Sequence, residues 1–136
     1  MLFRSSNVTA LAFSPDGATL LQGTEGWHIF QFDLRLPHDK AYQDATRILK
    51  GHTAGIRSLA FHPKGHRFVS GADDGTIKVW DSVSGYEAIG LTAEARDPIR
   101  SVAFIHGGTI LAAIPDRSTP IFFRGSPRFL VVPPKR

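Results

Sequence analysis

The sequence contains no cysteine and only one methionine. Without thiols the chain can form no disulfide bond, thiolate metal site or cysteine nucleophile, which agrees with a cytoplasmic location. No apolar run approaches the roughly 20 residues that span a bilayer, and residues 1–4 lack the basic and apolar segments of a secretory signal. No phosphate-cradling glycine loop of the P-loop or dinucleotide type occurs. We therefore expect no membrane partner and no cofactor.

Glycine and proline, by contrast, are plentiful. The chain has 13 Gly and 9 Pro, many of them between short apolar runs, and 42% of its residues are hydrophobic. This punctuation favours many short strands over long helices. A length of 136 residues fits one domain that can bury a core.

The chain repeats itself. Residues 8–33, 56–81 and 99–124 align without gaps, at offsets of 48 and then 43 residues. An Ala-Phe pair recurs at Ala12-Phe13, Ala60-Phe61 and Ala103-Phe104, and a glycine follows four residues after each Phe. An insertion near residues 36–40 accounts for the longer first offset. A period near 43 residues is typical of repeat architectures built from small sheets.

The middle repeat carries the most specific motifs. It opens with Gly51-His52, continues through Asp73-Asp74-Gly75-Thr76, and closes with Trp80-Asp81. In these motifs the chain resembles the WD-repeat β-propeller family. The resemblance implies an all-β fold of three four-stranded antiparallel blades that do not close a ring by themselves. It also implies a single partial propeller domain over residues 1–136, with blades at about 8–50, 56–92 and 98–133.

Local chemistry supports the same strands. Ser14-Pro15-Asp16-Gly17 and His62-Pro63-Lys64-Gly65 place proline and glycine where a hairpin turn needs them. Leu59 and Phe61 share one face of their strand, and only small residues lie on the other, which favours a strand between two sheets. The predicted second strands are residues 18–24, 67–72 and 109–114. The third strands are 28–34, 76–82 and 119–124, and the fourth strands are about 45–50, 85–91 and 127–132.

The resemblance also implies a buried hydrogen-bonded tetrad in the middle blade, made by His52, Ser70, Asp74 and Trp80. A His-Asp-Ser set suggests a hydrolase, but a blade interior offers neither a cleft nor an oxyanion hole. We therefore assign the tetrad a structural role, predict no catalytic residue, and expect that the protein is not an enzyme. The outer repeats have other residues at the Ser, Asp and Trp positions: Gln22, Gly26 and Phe32, and Ala113, Arg117 and Phe123.

Partner binding in this family implies a rim of loops at one edge of the blades. By position the rim residues are Thr53, Ala54, Arg57, Asp73, Asp97, Arg100 and Asp116. Arg57 and Arg100 occupy equivalent places, where two arginines could hold an acidic peptide or a phosphate; alternatively, both are simply exposed. We predict a non-catalytic scaffold that mediates protein–protein interaction.

Charge offers an alternative function. The net charge is +4, and the last 20 residues hold Arg117, Arg124, Arg128, Lys135 and Arg136 against one acid, Asp116. This basic region suggests electrostatic binding of nucleic acid, while a solvated basic tail is the simpler interpretation.

Three further residues attract attention. His62 and His66 flank a turn, but a histidine pair without a nearby carboxylate is a weak metal site. We therefore interpret both as surface turn residues and predict no metal. Tyr42, in the insertion of the first blade, is a candidate loop anchor or a packed loop residue.

Three blades fall short of the four to eight that closed propellers use. Each terminal blade should therefore expose an apolar flank, and flanks of that size usually mark an interface. A second copy could close a six-bladed ring head to tail. Alternatively, the chain is the C-terminal part of a larger propeller that supplies the other blades.

Overall fold

A computed structural model describes residues 7–36, 47–126 and 129–131 of the chain. Their strands form three four-stranded antiparallel sheets, and in each sheet the strands pair in the order in which they occur along the chain. The bounds are β1 Val8–Phe13, β2 Thr19–Thr24, β3 Ile29–Asp33, β4 Arg47–Leu49, β5 Ile56–Phe61, β6 Arg67–Ala72, β7 Thr76–Asp81, β8 Glu87–Thr92, β9 Ile99–Ile105, β10 Ile110–Pro115, β11 Ile121–Ser126 and β12 Phe129–Val131. The predicted all-β class with three antiparallel blades and no closed ring is confirmed.

Helical structure in the described part of the chain is limited to two single 3₁₀ turns, Glu94–Arg96 and His106–Gly108. Both turns join strands and neither replaces one. No helix among the described residues is long and apolar enough to cross a bilayer.

Among the described residues, two predicted strand starts are wrong by two residues; the predicted starts near 45 and 127 lie outside the described residues. β8 begins at Glu87 rather than at 85 because Gly85 has a φ of +77° and belongs to a turn. The Asp81 carboxylate fixes that turn by accepting the Val83 and Ser84 amide hydrogens at 2.9 Å. β11 begins at Ile121 rather than at 119. Pro120, just before it, has no amide hydrogen to donate to a ladder.

The hairpin turns after β1 and β5 follow their sequence. The Gly17 amide donates to the Ser14 carbonyl and the Gly65 amide to the His62 carbonyl, at 2.9 and 2.8 Å. Both glycines have φ between +70° and +80°, which an L-residue seldom adopts. The third hairpin departs from this pattern and closes through the 3₁₀ turn His106–Gly108.

The first strand of every sheet contains a β-bulge. The register with the second strand shifts between Val8 and Ala10, between Ile56 and Ser58, and again opposite Ile114 and Pro115. One extra residue reverses the alternation of side chains. As a result Ile56 and Leu59, three positions apart, contribute to the same apolar cluster.

The core lies between the sheets. One cluster joins the first two sheets: Leu21, Ile29, Leu49, Ile56, Leu59, Phe68, Ala72 and Trp80. A second joins the middle and third sheets: Val69, Ile77, Val79, Ala93, Ile99, Val102, Leu111, Ala113 and Phe123. The sheets therefore stack flank to flank, and burial of these flanks is the main stabilising contribution.

His62 corrects one sequence interpretation. It is not a surface residue but a buried one, while His66 is exposed. Its Nε2 donates to the Gly108 carbonyl at 3.0 Å, and its Nδ1 accepts the Lys64 amide hydrogen at 3.1 Å. Its ring also packs edge-on against Phe104, with centroids 5.0 Å apart. His62 therefore ties the β5–β6 turn to the third sheet.

Candidate functional site

The middle sheet holds a hydrogen-bonded network of four side chains. His52 Nδ1 lies 3.1 Å from the Asp74 carboxylate, and His52 Nε2 lies 2.6 Å from Ser70 Oγ. Trp80 Nε1 donates to the same Oγ at 2.8 Å. The charged Asp74 carboxylate can only accept a hydrogen bond, so His52 donates from Nδ1 to Asp74. The Nε2 atom of the neutral imidazole then accepts from the Ser70 hydroxyl. The structure thus brings His52, Ser70, Asp74 and Trp80 together.

Electrostatics agrees with this proton assignment. Burial lowers the pKa of His52, although the Asp74 carboxylate opposes that shift. Burial also disfavours the charged form of Asp74, but hydrogen bonds from Thr76 and from the Thr53 amide outweigh it and lower the pKa of Asp74. The imidazole is therefore neutral and the carboxylate charged at neutral pH, as the network requires.

The burial of the network and its complete hydrogen bonding indicate a structural role. The His52, Ser70 and Trp80 side chains are buried, and Ser70 spends its hydrogen on His52. Every buried polar side-chain atom in the described residues has a hydrogen-bond partner. A satisfied network of this kind fixes one geometry for the blade.

One edge of the molecule is a contiguous rim, formed by the loops before each first strand and the turns between second and third strands. The same backbone bond recurs there in every sheet: Glu25 donates to Asn7, Asp73 to Gly55 and Asp116 to Pro98, at 2.9–3.0 Å. A Cβ atom added to Gly55 would lie 3.3 Å from Glu25 Cα and 3.4 Å from Asp73 Oδ2. The loops of adjacent blades therefore touch and form one surface.

Four of the predicted rim residues form two matching ion pairs. Arg57 Nε donates to Asp73 at 2.5 Å, and Arg100 Nε donates to Asp116 at 2.8 Å. The arginine side chains are 44% and 66% exposed. Their terminal amino groups have no hydrogen-bond partner among the described residues. Each guanidinium thus keeps donors that face solvent while an aspartate holds its orientation.

The other three predicted rim residues behave differently. Thr53 is exposed, Ala54 is half-buried, and the Thr53 amide donates to Asp74 at 2.8 Å. Asp97 is buried and accepts three hydrogen bonds at 2.8 Å, from the Arg117 and Ser118 amides and the Ser118 hydroxyl. Burial raises the pKa of Asp97, yet these bonds lower it overall. Asp97 braces the β10–β11 loop, and all three bonds go to its Oδ2 atom.

Trp27 is a rim residue that sequence reasoning missed. It lies in the β2–β3 turn, is 52% exposed, and has a φ of +75°. The equivalent residue of the middle sheet is Gly75, with a φ of +78°. A bulky residue in this conformation is strained, and such strain tends to occur at functional positions. The repeat alignment places Trp27 opposite Gly75, a turn glycine, and this could have indicated its unusual backbone conformation.

The basic region does not form one patch in the described residues. Arg117 lies on the rim, whereas Arg124 pairs with Ile110 at the opposite end of β10. Arg128, Lys135 and Arg136 lie outside the described residues, as does Tyr42. Within those residues no group of three or more His, Cys, Asp or Glu side chains is placed to hold a metal ion.

The edge opposite the rim carries a groove. It lies between the β1–β2 and β5–β6 turns, and its lining includes Asp16, Asp33, Arg35 and Lys64. Arg35 is bound to Asp33 at 2.9 and 3.0 Å. The groove therefore mixes both charge signs and offers residues for control substitutions.

Comparison with known proteins gives consistent results. A family model described as "WD domain, G-beta repeat" matches residues 3–33 and 43–81. Ribosome biogenesis protein erb1 of Aspergillus fumigatus is 34% identical over 89 residues, which cover 64% of this chain and 10% of that protein. Ribosome biogenesis protein ytm1 of Aspergillus terreus is 38% identical over 78 residues, 57% of this chain and 16% of that protein.

Two further similarities extend the comparison. The guanine nucleotide-binding protein subunit beta of Zea mays is 36% identical over 78 residues, 51% of this chain and 20% of that protein. The chain thus spans between a tenth and a fifth of the length of these relatives. The β-propeller domain of Cps50 (Swd1) from Myceliophteria thermophila superposes with a TM-score of 0.76 at 21% identity, over 90% of this chain and 37% of that one. This last match concerns the fold alone.

Proposed function

We propose a function from one premise: this chain belongs to the WD-repeat family of β-propeller proteins. Members of the family typically serve as non-catalytic scaffolds that bind other proteins. We place the binding surface of this chain on the rim and assign it an acidic protein partner. The single observation that carries this proposal is that the half-exposed, strained Trp27 lies on the same edge of the molecule as two oriented arginines.

The residue types on the rim suit protein binding. Trp and Arg are the side chains most often found to dominate interface energetics. The solvent-facing donors of Arg57 and Arg100 match carboxylates, and the Trp27 ring offers an apolar anchor. Arg96 and Arg117 are also exposed on this edge. A partner segment with two carboxylates and one apolar side chain would complement this surface.

The relatives support the same direction. Their names identify ribosome biogenesis proteins and a guanine nucleotide-binding protein subunit. By analogy we propose that this chain contributes its rim to a multi-protein assembly.

Three rim substitutions test the proposal. Proteins captured from an extract by the immobilised wild-type chain are quantified by mass spectrometry, and capture is repeated with Trp27→Ala, Arg57→Ala and Arg100→Ala. We expect about thirtyfold weaker capture of the same protein for Trp27→Ala, since an interface anchor commonly contributes about 2 kcal/mol. The arginine variants should show smaller losses.

The control is Lys64→Ala, which removes a cation from the groove on the opposite edge. It should leave capture unchanged, and circular dichroism should show that every variant is folded. Equal capture by the wild type and all three rim variants would refute the rim assignment.

Nucleic-acid binding is the alternative function, and it ranks lower because the described cations Arg117 and Arg124 lie at opposite ends of their sheet. A salt titration with random-sequence DNA distinguishes the two functions. A steep loss of binding with salt favours nucleic acid. No binding at low salt removes this alternative.

The cytoplasmic location suggested by the absence of cysteine is also a proposal. A fluorescent fusion tests it, and a nuclear signal would contradict it.

A further inference from the structure

The two interfaces between sheets follow one packing rule. We call the face of a first strand that points to the preceding sheet its leading face. For the middle sheet this face is Ile56, Leu59 and Phe61, and for the third it is Ile99, Val102 and Phe104. Ile56 and Leu59 belong to the cluster shared with the first sheet, and Ile99 and Val102 to the cluster shared with the middle one.

Each leading face rests on a glycine of the sheet before it. A Cβ atom added to Gly23 would lie 2.6 Å from Ile56 Cγ2, and one added to Gly71 would lie 2.5 Å from Ile99 Cγ2. Both distances are shorter than van der Waals contact allows. The second strand therefore carries a glycine socket that receives the β-branched residue at the start of the next first strand.

The first sheet has a leading face of the same kind, and no strand of the described residues packs on it. Its residues Val8, Leu11 and Phe13 are 50%, 58% and 60% exposed, whereas Ile56 and Ile99 are at most 1% exposed at the position of Val8. The bulge between Val8 and Ala10 is also present. The first sheet thus exposes the same kind of apolar face that the middle and third sheets bury against the sheet before them.

The third sheet offers no matching socket. By strand pairing and repeat position, the residue equivalent to Gly23 and Gly71 is Ile114, which is 38% exposed. Phe122, equivalent to Val79, is 51% exposed beside it. The Ile114 side chain fills the space that a β-branched residue such as Val8 would need.

We propose that the leading face of the first sheet binds a β-propeller blade of a different sequence, one with glycine opposite Val8, and that Ile114 prevents a second copy of this chain from binding there. The partner is defined by its chemistry: an apolar antiparallel sheet flank with a glycine in its second strand. The partner is a blade because both equivalent leading faces in this molecule are covered by a blade. The residue at the socket position determines which blades fit.

The test uses the full chain as its own probe. Sedimentation velocity compares the self-association of the wild type with Ile114→Gly, which opens a socket, and with Ile114→Val, which keeps the β-branch. Overpacking an interface by several methyl groups typically costs 1–3 kcal/mol. We expect Ile114→Gly to associate about tenfold or more tightly than the wild type, with Ile114→Val like the wild type. Ile114→Ala, which keeps more strand propensity than glycine, should lie between.

A second substitution shows which face is used. Adding Leu11→Asp to Ile114→Gly should restore the wild-type behaviour, because it places a charge on the leading face. Equal association of the wild type and Ile114→Gly, whether both associate or neither does, would overturn the proposal. So would association that survives Leu11→Asp. The rim residues take no part, so this result is independent of the capture experiment.

Discussion

His52 combines burial with a titratable group. Its pKa is lowered from 6.5 in the folded chain because burial disfavours the imidazolium. Above pH 6.5 neither state of the chain is protonated there, and the contribution of His52 to stability is complete. As pH falls below about 6.5, only the unfolded chain takes up the proton, so the free energy of unfolding decreases until the folded pKa is reached.

This predicts a pH effect that a substitution removes. Between pH 7.5 and 5 the wild type should lose up to about 1.4 kcal/mol more per pH unit than His52→Gln, measured by urea denaturation. The other histidines are common to both chains and cancel in the difference. Parallel profiles would contradict the prediction. NMR titration of the His52 ring provides an independent check, and a ring that protonates near pH 6.5 in the folded chain would also contradict it.

Trp27 makes stability and binding separable. Glycine tolerates a φ of +75°, whereas alanine has the same steric conflict as tryptophan. Trp27→Gly and Trp27→Ala remove the same ring contacts, so Trp27→Gly should be the more stable of the two by about 1 kcal/mol. Both should lose partner capture equally. Thermal unfolding measures the first quantity, and equal stability of the pair would contradict a strained turn.

Strands and hairpin turns are the elements that the sequence predicts well. β6, Arg67–Ala72, begins and ends where the repeat alignment places it. The turns at Gly17 and Gly65 follow because proline and glycine impose their backbone angles locally. The predicted start of β8 was wrong because the turn around Gly85 is held by hydrogen bonds that the repeat pattern does not show. The predicted start of β11 overlooked Pro120, which has no amide hydrogen to donate to a ladder.

Contacts between elements explain what sequence reasoning missed. His62 looks like a turn residue, and only the neighbouring sheet gives it Gly108 as a partner. Asp97 falls on the rim by position, and only the folded loop shows that its Oδ2 atom is buried against Arg117 and Ser118. The glycine sockets were likewise invisible, because a strand glycine without its neighbour signals only a weak strand.

The socket at Gly71 gives an element-level prediction. Gly71→Ala places a methyl group 2.5 Å from Ile99 Cγ2, and overpacking of this kind costs about 1–3 kcal/mol. The matched control is Gly90→Ala in β8, where the nearest atom is the flexible end of Glu87. It should change stability by less than about 0.5 kcal/mol. Chemical denaturation compares the two, and equal effects would contradict the socket.

At the scale of the whole molecule, the three sequence repeats predicted three sheets stacked side by side. A single four-stranded unit cannot bury its apolar flank without a neighbour. The sequence left open which body covers the outer flanks. The rim exists only in the assembled molecule, since Trp27, Arg57 and Arg100 come from three different blades. The loops of neighbouring blades meet only when the sheets lie side by side, as Gly55 does against Glu25 and Gly75 against Arg96.

Ile114 has a consequence for concentrated solutions of this protein. A unit whose two ends complement each other adds copies without limit unless its rotation closes, and the product is then a fibre. Here the leading face of the first sheet is exposed, and the flank of the third sheet carries Ile114 where the other two sheets have a glycine. On our proposal Ile114 therefore acts as a chain terminator, which stops copies of this protein from adding end to end while the leading face stays available to a different blade.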